Sequence, residues 1–374
     1  MRIAKMEAVH VRVPLDSPYI YSRGKMTAFE SAIVRISTDD GVVGYGESAP
    51  LFRSPVADAA AVTKILNETI AVDLIDRDPF DIEMIVDHVL RLGEGNVDVV
   101  AGVDLALWDI VGKALEQPVY RLMGGFCQNP IAVDYTLSAM APEYMAAAAA
   151  NVHQEGFHGV VVKITGKQLD EDVQRVRQVR KTLPANCTVR TDFNGGYAKD
   201  EAIEFIERIA DMDIEFVEQP VSPGDIEALK ACRGHGLPIN IDESLKTPQD
   251  AIQLVSEKAC DMMNIKIANV GGLLLAKRMA AIAAAAGLPV VVGGRTSLEL
   301  SRCASRHFAA STPGTMGRKH EGPGPASQAL SDDVVAQRTT RQMAAGKKGH
   351  VWVEQSPGLG LEVVWDKVMK YAVH

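Results

Sequence analysis

Six stretches within 160–294 decide the fold: VVVKI (160–164), CTVRTDF (187–193), IEFVEQ (214–219), LPINIDES (237–244), DMMNIKI (261–267) and LPVVVGG (288–294). Each is a short apolar run with a polar end. Helical patterning separates them. The stretch 171–181 puts Val173, Val176 and Val179 on one side, and 201–210 does the same with Ala202, Phe205, Ile206 and Ile209. Thr247 is an N-cap with Pro248 at the first helical position. The helix over 272–286 stops at Gly287, with Pro289 beyond it. Strand–helix units in this alternation build a parallel sheet. The runs do not alternate strictly, as expected of strands covered on both faces. Six units and an earlier strand at 131–136 predict a (β/α) barrel of about eight strands. No Gly-rich phosphate loop follows the first strand of this region, which argues against an open doubly wound sheet.

Outside the repeats the patterning differs. Residues 4–13 and 32–38 are rich in β-branched residues, and Asp39-Asp40-Gly41 turns the chain into a third strand at 42–46. Helical periodicity runs from about 55 to 114, with Val103, Leu107, Ile110 and Val111 on one stripe and Trp108 beside it. Residues 335–349 are loop-like and basic, and the tail beyond them is too short for another barrel unit, so it is expected to return to the first region.

Composition sets bounds on function. The 374 residues are 47% hydrophobic and 23% charged, an ordinary globular balance. Lys+Arg number 39 against 48 Asp+Glu, a net charge of −9 without a basic run, which disfavours nucleic acid and anionic membranes as partners. Five cysteines without metal-type spacing read as small apolar fillers in a reduced compartment. The opening MRIAKMEAVHVRVPL has no signal-peptide core, and Lys277 and Arg278 interrupt the most apolar helical stretch, so a cytoplasmic protein is expected.

The ionisable residues at the ends of successive runs carry the chemistry. They are Lys163, Asp192 (with Asn194), Glu218, Asp242 (with Glu243) and Lys266, spaced 29, 26, 24 and 24 residues apart, one strand–helix unit each. In a parallel barrel these ends share the C-terminal face, where barrel active sites sit. One carboxylate there is commonly a helix cap or a rim salt bridge. Three that converge repel one another unless a cation sits among them. Oxygen-only ligation favours Mg²⁺ first and Mn²⁺ or Ca²⁺ next. Lys163 and Lys266 then stand four strands apart, half the circumference, facing each other across the mouth. A small carboxylate substrate between them has its α-carbon flanked by an amine on each side. A nearby dication lowers a lysine pKa toward the useful range for a base, and stabilises the enediolate formed as the α-proton leaves.

On these residues the sequence resembles the enolase superfamily, and within it the muconate lactonizing enzyme/mandelate racemase-like proteins. The carrying motifs are DDGVVGYGE (39–47), VDLALWDI (103–110) followed by Gly112-Lys113-Ala114, TDFNG (191–195), VEQP (217–220), IDES (241–244), NIK (264–266) and VGGL (270–273). The resemblance implies a modified TIM barrel (β/α)7β over 126–334, an N-terminal α+β capping domain over 1–125 and a C-terminal segment, 335–374, returning to the cap. It implies Mg²⁺ on Asp192, Glu218 and Asp242, with Lys163 and Lys266 as the acid/base pair, and it favours a homo-oligomer.

The chain departs from the family pattern in three places. A Lys-x-Lys pair is common on the second strand, whereas here Val161 holds the first position; an alignment shifted by two makes Lys163 the auxiliary lysine and puts Thr165 at the base position. The seventh strand ends in Gly293-Gly294-Arg295-Thr296-Ser297 without the histidine of the mandelate racemase branch, which points to the muconate lactonizing-like branch. The eighth-strand region, Glu321-Gly322-Pro323-Gly324-Pro325, lacks the paired acids that dipeptide epimerases use for a substrate ammonium. Arg295 is a candidate for a second substrate carboxylate; Tyr19, Tyr21 and Arg23 belong to the first cap loop, and Phe52 and Arg53 to the second. Glu299 is a weaker candidate, reaching the site if the seventh-strand loop folds inward and otherwise a first helical turn, and His307 and His320 read as structural or solvated. The expected activity is removal of the proton α to a carboxylate, giving racemisation or epimerisation. The alternatives are cycloisomerisation, dehydration of a hydroxy acid such as a hydroxyproline, or a non-catalytic metal-stabilised scaffold.

Overall fold

The computed structural model describes residues 1–21, 24–50, 58–294, 296–320, 330–338 and 349–373. Its N-terminal part is a three-stranded antiparallel sheet of β1 (Ile3–Tyr21), β2 (Gly24–Thr38) and β3 (Val43–Ser48), in that order. β1 and β2 run well beyond the stretches their β-branched residues mark. The hairpin ladder pairs as far as Pro14↔Ala28, shifts register over the stretch that holds Pro18, and resumes at Tyr19↔Met26. The helix Val97–Ala114 lies directly on β3. Gly44 and Gly46 permit this approach: a Cβ on Gly46 would stand 1.9 Å from the Gly102 carbonyl oxygen, and one on Gly44 2.2 Å from that of Ala106.

The second sheet has the order β13-β4-β12-β11-β10-β9-β8-β7-β6-β5. β4 (Ile131–Val133) and β5 (Tyr135–Leu137) are two halves of one strand, split at Asp134. The first half pairs in parallel with β12 (Thr315–His320) and the second with β6 (Gly159–Lys163), so the sheet closes on itself. Between them stand β7 (Thr188–Asp192), β8 (Val217–Glu218), β9 (Ile239–Ile241), β10 (Met262–Ile265) and β11 (Val290–Gly293), all parallel. This is the expected eight-strand barrel. Its eighth strand lies just before Glu321–Pro325, which falls outside the described residues. β13 (His350–Val351) adds an antiparallel edge to β4.

Burial explains the mixed polarity of the runs. Alternate strand residues face either the surrounding helices or the barrel lumen. Phe216, Met262 and Val291 form a small apolar cluster separate from the main core. Arg190, fully buried, donates to Asp134 and, at 2.6 Å, to Glu215. The helix Pro248–Ser256 starts with a capping box between Thr247 and Asp250, as its sequence predicts. The tail returns to the N-terminal part: the Leu359 N–H donates to Asp109, the Arg12 N–H to the Tyr371 carbonyl, and Arg35 stacks on Trp365. Among the described residues no helix is long and apolar enough to cross a membrane.

Candidate active site

Lys163, Asp192 and Glu218 are the last residues of β6, β7 and β8, while Asp242 and Lys266 directly follow β9 and β10. The strands are neighbours in that order, so five ionisable ends line one arc of the barrel mouth. The acids form its floor: the side chains of Asp192, Glu218 and Asp242 keep 3%, 2% and 4% of their exposure. The lysines reach in from more open positions, with 25% for Lys163 and 13% for Lys266.

Each lysine is held by different acids. Lys163 Nζ donates to Asp192 Oδ2 and, at 3.1 Å, to Asn194 Oδ1. Lys266 Nζ stands 2.5 Å from Asp242 Oδ2 and 3.5 Å from Glu218 Oε1. Asn194, at φ +47° in the left-handed region that asparagine tolerates, ties the cluster together. Its N–H donates to Asp192 Oδ1 at 2.8 Å, and its Nδ2 to Asp192 Oδ2 and Glu243 Oε1, both at 3.2 Å.

The charges strain one another. Glu218 is pushed up to about 8, chiefly by burial and then by the Asp192 and Asp242 charges, against the pull of Lys266. Burial works against the Lys266 ammonium, but Asp242, Glu218 and Asp192 outweigh it and raise its pKa above the ordinary lysine value. Lys163 is raised as well: burial and Lys266 oppose its charge, and Asp192 and Glu218 favour it. In this arrangement both lysines hold their protons.

The residues present suit a hard divalent cation. The donors are carboxylate oxygens, one ammonium already serves both Glu218 and Asp242, and Asp242 Oδ1 is buried without a hydrogen-bond partner. Among the described residues no three acidic, histidine or cysteine side chains already form a ligating cluster, and Lys266 stands between two of the acids.

Two site residues escaped the reading of strand ends. Asn264 donates to Glu218 Oε1 at 2.9 Å. Gln219 accepts from the backbone N–H groups of Asp242 (3.2 Å) and Ser244 (3.1 Å), fixing the turn after β9. The signal for Asn264 was its place two residues before Lys266, on the same strand face. Thr165 is turned away from the cluster, its hydroxyl donating to Asp172 Oδ2 at 2.8 Å and its N–H to Asp172 Oδ1 at 3.0 Å. Tyr21 pairs with Gly24 through its backbone in the β1–β2 hairpin. Arg23, Phe52, Arg53 and Arg295 lie outside the described residues. Glu299 opens the helix Glu299–Ser311, buried, and His307 is buried in the same helix.

Residues 3–124 match the family model described as mandelate racemase/muconate lactonizing enzyme, N-terminal domain, and residues 143–367 match the model described as enolase C-terminal domain-like. The chain is 32% identical to the L-Ala-D/L-Glu epimerase of Bacillus subtilis over 83% of its length and 86% of the relative's. It is 32% identical to the N-succinyl-L-Arg/Lys racemase of Bacillus cereus (83% and 84%) and 31% identical to the cis-3-hydroxy-L-proline dehydratase of Roseibium aggregatum (84% and 85%). The crystal structure of the B. cereus racemase superposes with a TM-score of 0.92 over 100% of this chain and 99% of that one, at 29% identity. The dipeptide epimerase of Enterococcus faecalis, complexed with Mg and the dipeptide L-Leu-L-Tyr, gives 0.88 over 97% and 100%, at 27% identity. These relatives are enzymes, which sets aside the scaffold reading. With both of its halves matched, the chain belongs to the mandelate racemase/muconate lactonizing enzyme family of the enolase superfamily and is one of its isomerases or lyases.

Proposed function

We propose that this enzyme racemises or epimerises the α-carbon of an N-acylated amino acid, with Asp192, Glu218 and Asp242 holding Mg²⁺ and Lys163 and Lys266 moving the proton. The single observation carrying this reading is the placement of two lysines at the ends of β6 and β10, four apart in the ring, on either side of three buried acids. One lysine as the free amine takes the α-proton from one face, and the ammonium opposite returns a proton to the other face. When bound, the divalent ion neutralises the acids and spreads the charge that grows on the substrate carboxylate as the proton leaves. Asn194 and Asn264 keep Asp192 and Glu218 oriented. Mg²⁺ has the support of the E. faecalis complex, and Mn²⁺ has none.

The substrate class follows from what the relatives' names share. A dipeptide and an N-succinyl amino acid both present a carboxylate beside an α-carbon whose nitrogen is acylated. An acyl group without an ammonium is favoured, since 321–325 offers a single acid. Elimination of a β-hydroxyl after the same proton removal is the second reading, favoured by the dehydratase relative. Four buried cysteines and one exposed one agree with a reduced, cytoplasmic setting, and a homo-oligomer remains part of this reading. The test is a panel of N-acylamino acids, dipeptides and hydroxyprolines in D₂O with Mg²⁺. Deuterium at the α-carbon of an N-acylamino acid is expected; release of water from a hydroxyproline alone selects the second reading.

A further inference from the structure

A glycine on the strand beside Lys266 has no backbone reason to be there. Gly293 ends β11 in ordinary strand conformation and is absent from the left-handed glycines of the chain. The reason is space. β10 and β11 pair as Met263↔Val290, Asn264↔Val291 and Ile265↔Val292, so the next rung sets Lys266 beside Gly293. Asn264 and Lys266 share a strand face. A Cβ on Gly293 would stand 2.2 Å from Asn264 Oδ1 and 2.6 Å from both Cγ and Cε of Lys266. These nearest atoms all belong to side chains, so a methyl group displaces the two side chains rather than the strands. Those side chains matter most here: Lys266 Nζ is 2.5 Å from Asp242 Oδ2, and Asn264 Nδ2 is 2.9 Å from Glu218 Oε1.

We propose that Gly293 is a positioning residue, whose missing side chain is the slot through which Lys266 rises to Asp242 and Glu218. The catalytic part of this inference rests on the acid/base role given above to Lys266; the steric part stands apart from it.

The test is Gly293→Ala, made in the native chain and in an Asn264→Ala/Lys266→Ala background that removes those nearest atoms. Thermal unfolding reads the steric part without substrate or metal. A Tm loss of several degrees is expected in the native background and none in the double-alanine background, the signature of coupled neighbours. Should Gly293→Ala alone not fold, a folded triple variant supports the slot and an unfolded one overturns it. The same loss in both backgrounds overturns the slot. For catalysis, α-deuterium exchange is followed separately for the two enantiomers of one substrate. The shift of Asn264 acts on both enantiomers through Glu218, and exchange of the one facing Lys266 is expected to fall about 100-fold further than that of the one facing Lys163, as for a base misplaced by about 1 Å. Equal exchange losses for the two enantiomers, or none, overturn the proposal. A native enzyme that exchanges neither enantiomer refutes the role of Lys266, and leaves the thermal result to decide the slot.

Discussion

Lys163 and Lys266 reach into one acidic cluster from strands four places apart, and each ammonium rests on its own carboxylate, Asp192 for Lys163 and Asp242 for Lys266. Glu218, on the strand midway between them, is shared through Lys266. Burial first, and then the crowding of three acids served by two positive charges, raises the pKa of Glu218 and makes the site electrostatically ready for further positive charge.

Removing either lysine separates the two halves of racemisation. Lys266→Ala and Lys163→Ala are each expected to lower racemisation 10²- to 10⁴-fold, the usual worth of a positioned acid or base. Each variant is expected to keep α-proton exchange on the enantiomer served by the remaining lysine. Polarimetry and proton NMR in D₂O read the two effects; racemisation unchanged in Lys266→Ala removes it as a base.

Asp242→Asn keeps the shape and removes a charge. Loss of outer-sphere partners alone commonly weakens metal binding about 10- to 100-fold, so loss of a ligand charge is expected to weaken Mg²⁺ at least about tenfold. Titration calorimetry on the metal-free protein checks this, and unchanged affinity contradicts the ligand assignment. Chelation is expected to abolish exchange and added Mg²⁺ to restore it.

His307 makes the fold acid-sensitive. It accepts the Tyr120 N–H at Nδ1 (3.2 Å) and bonds the Leu359 carbonyl through Nε2 (3.1 Å), which requires the neutral ring. Burial pulls its pKa down to about 4 from 6.5. The unfolded chain therefore binds the proton first as pH falls, and the stabilisation present above pH 6.5 drains away toward pH 4. About 2 kcal/mol is expected to be lost between pH 7 and pH 5 through this group. Urea unfolding at the two pH values, compared with His307→Gln, isolates it; equal pH dependence in both proteins contradicts the assignment.

Asp109 fastens three parts of the chain. It accepts from the Tyr45 N–H (3.0 Å), the Leu359 N–H (2.9 Å) and Lys113 Nζ (2.6 Å), almost fully buried. Asp109→Ala leaves the Tyr45 and Leu359 N–H groups without their acceptor and Lys113 Nζ with the Val43 carbonyl (2.8 Å), and is expected to cost about 3–5 kcal/mol. Denaturant unfolding measures it, and a cost under about 1 kcal/mol would show that the ion pair is solvated.

Much of this was legible in the chain because its determinants are local. A strand end is marked by the switch from apolar to ionisable residues, and Thr247-Pro248 caps a helix through bonds within four residues. What the sequence hid depends on partners far away. Tyr19 is a strand residue because Met26 pairs with it, and β12, TMGRKH, is a strand because β4 and β11 flank it. Thr165 looks free to enter the site until Asp172 is seen to hold it. Gly293 looks like one more glycine before a turn until Lys266 is placed beside it.

The most direct test of the central claim is stereochemical. Each enantiomer of an N-acylamino acid is incubated with enzyme and Mg²⁺ in D₂O, and the first deuterium taken up is located. Opposed lysines predict that both enantiomers exchange and that each yields product of inverted configuration carrying deuterium at the α-carbon. Intact Mg²⁺ binding with no exchange in either enantiomer, across the whole acid panel, would contradict the claim.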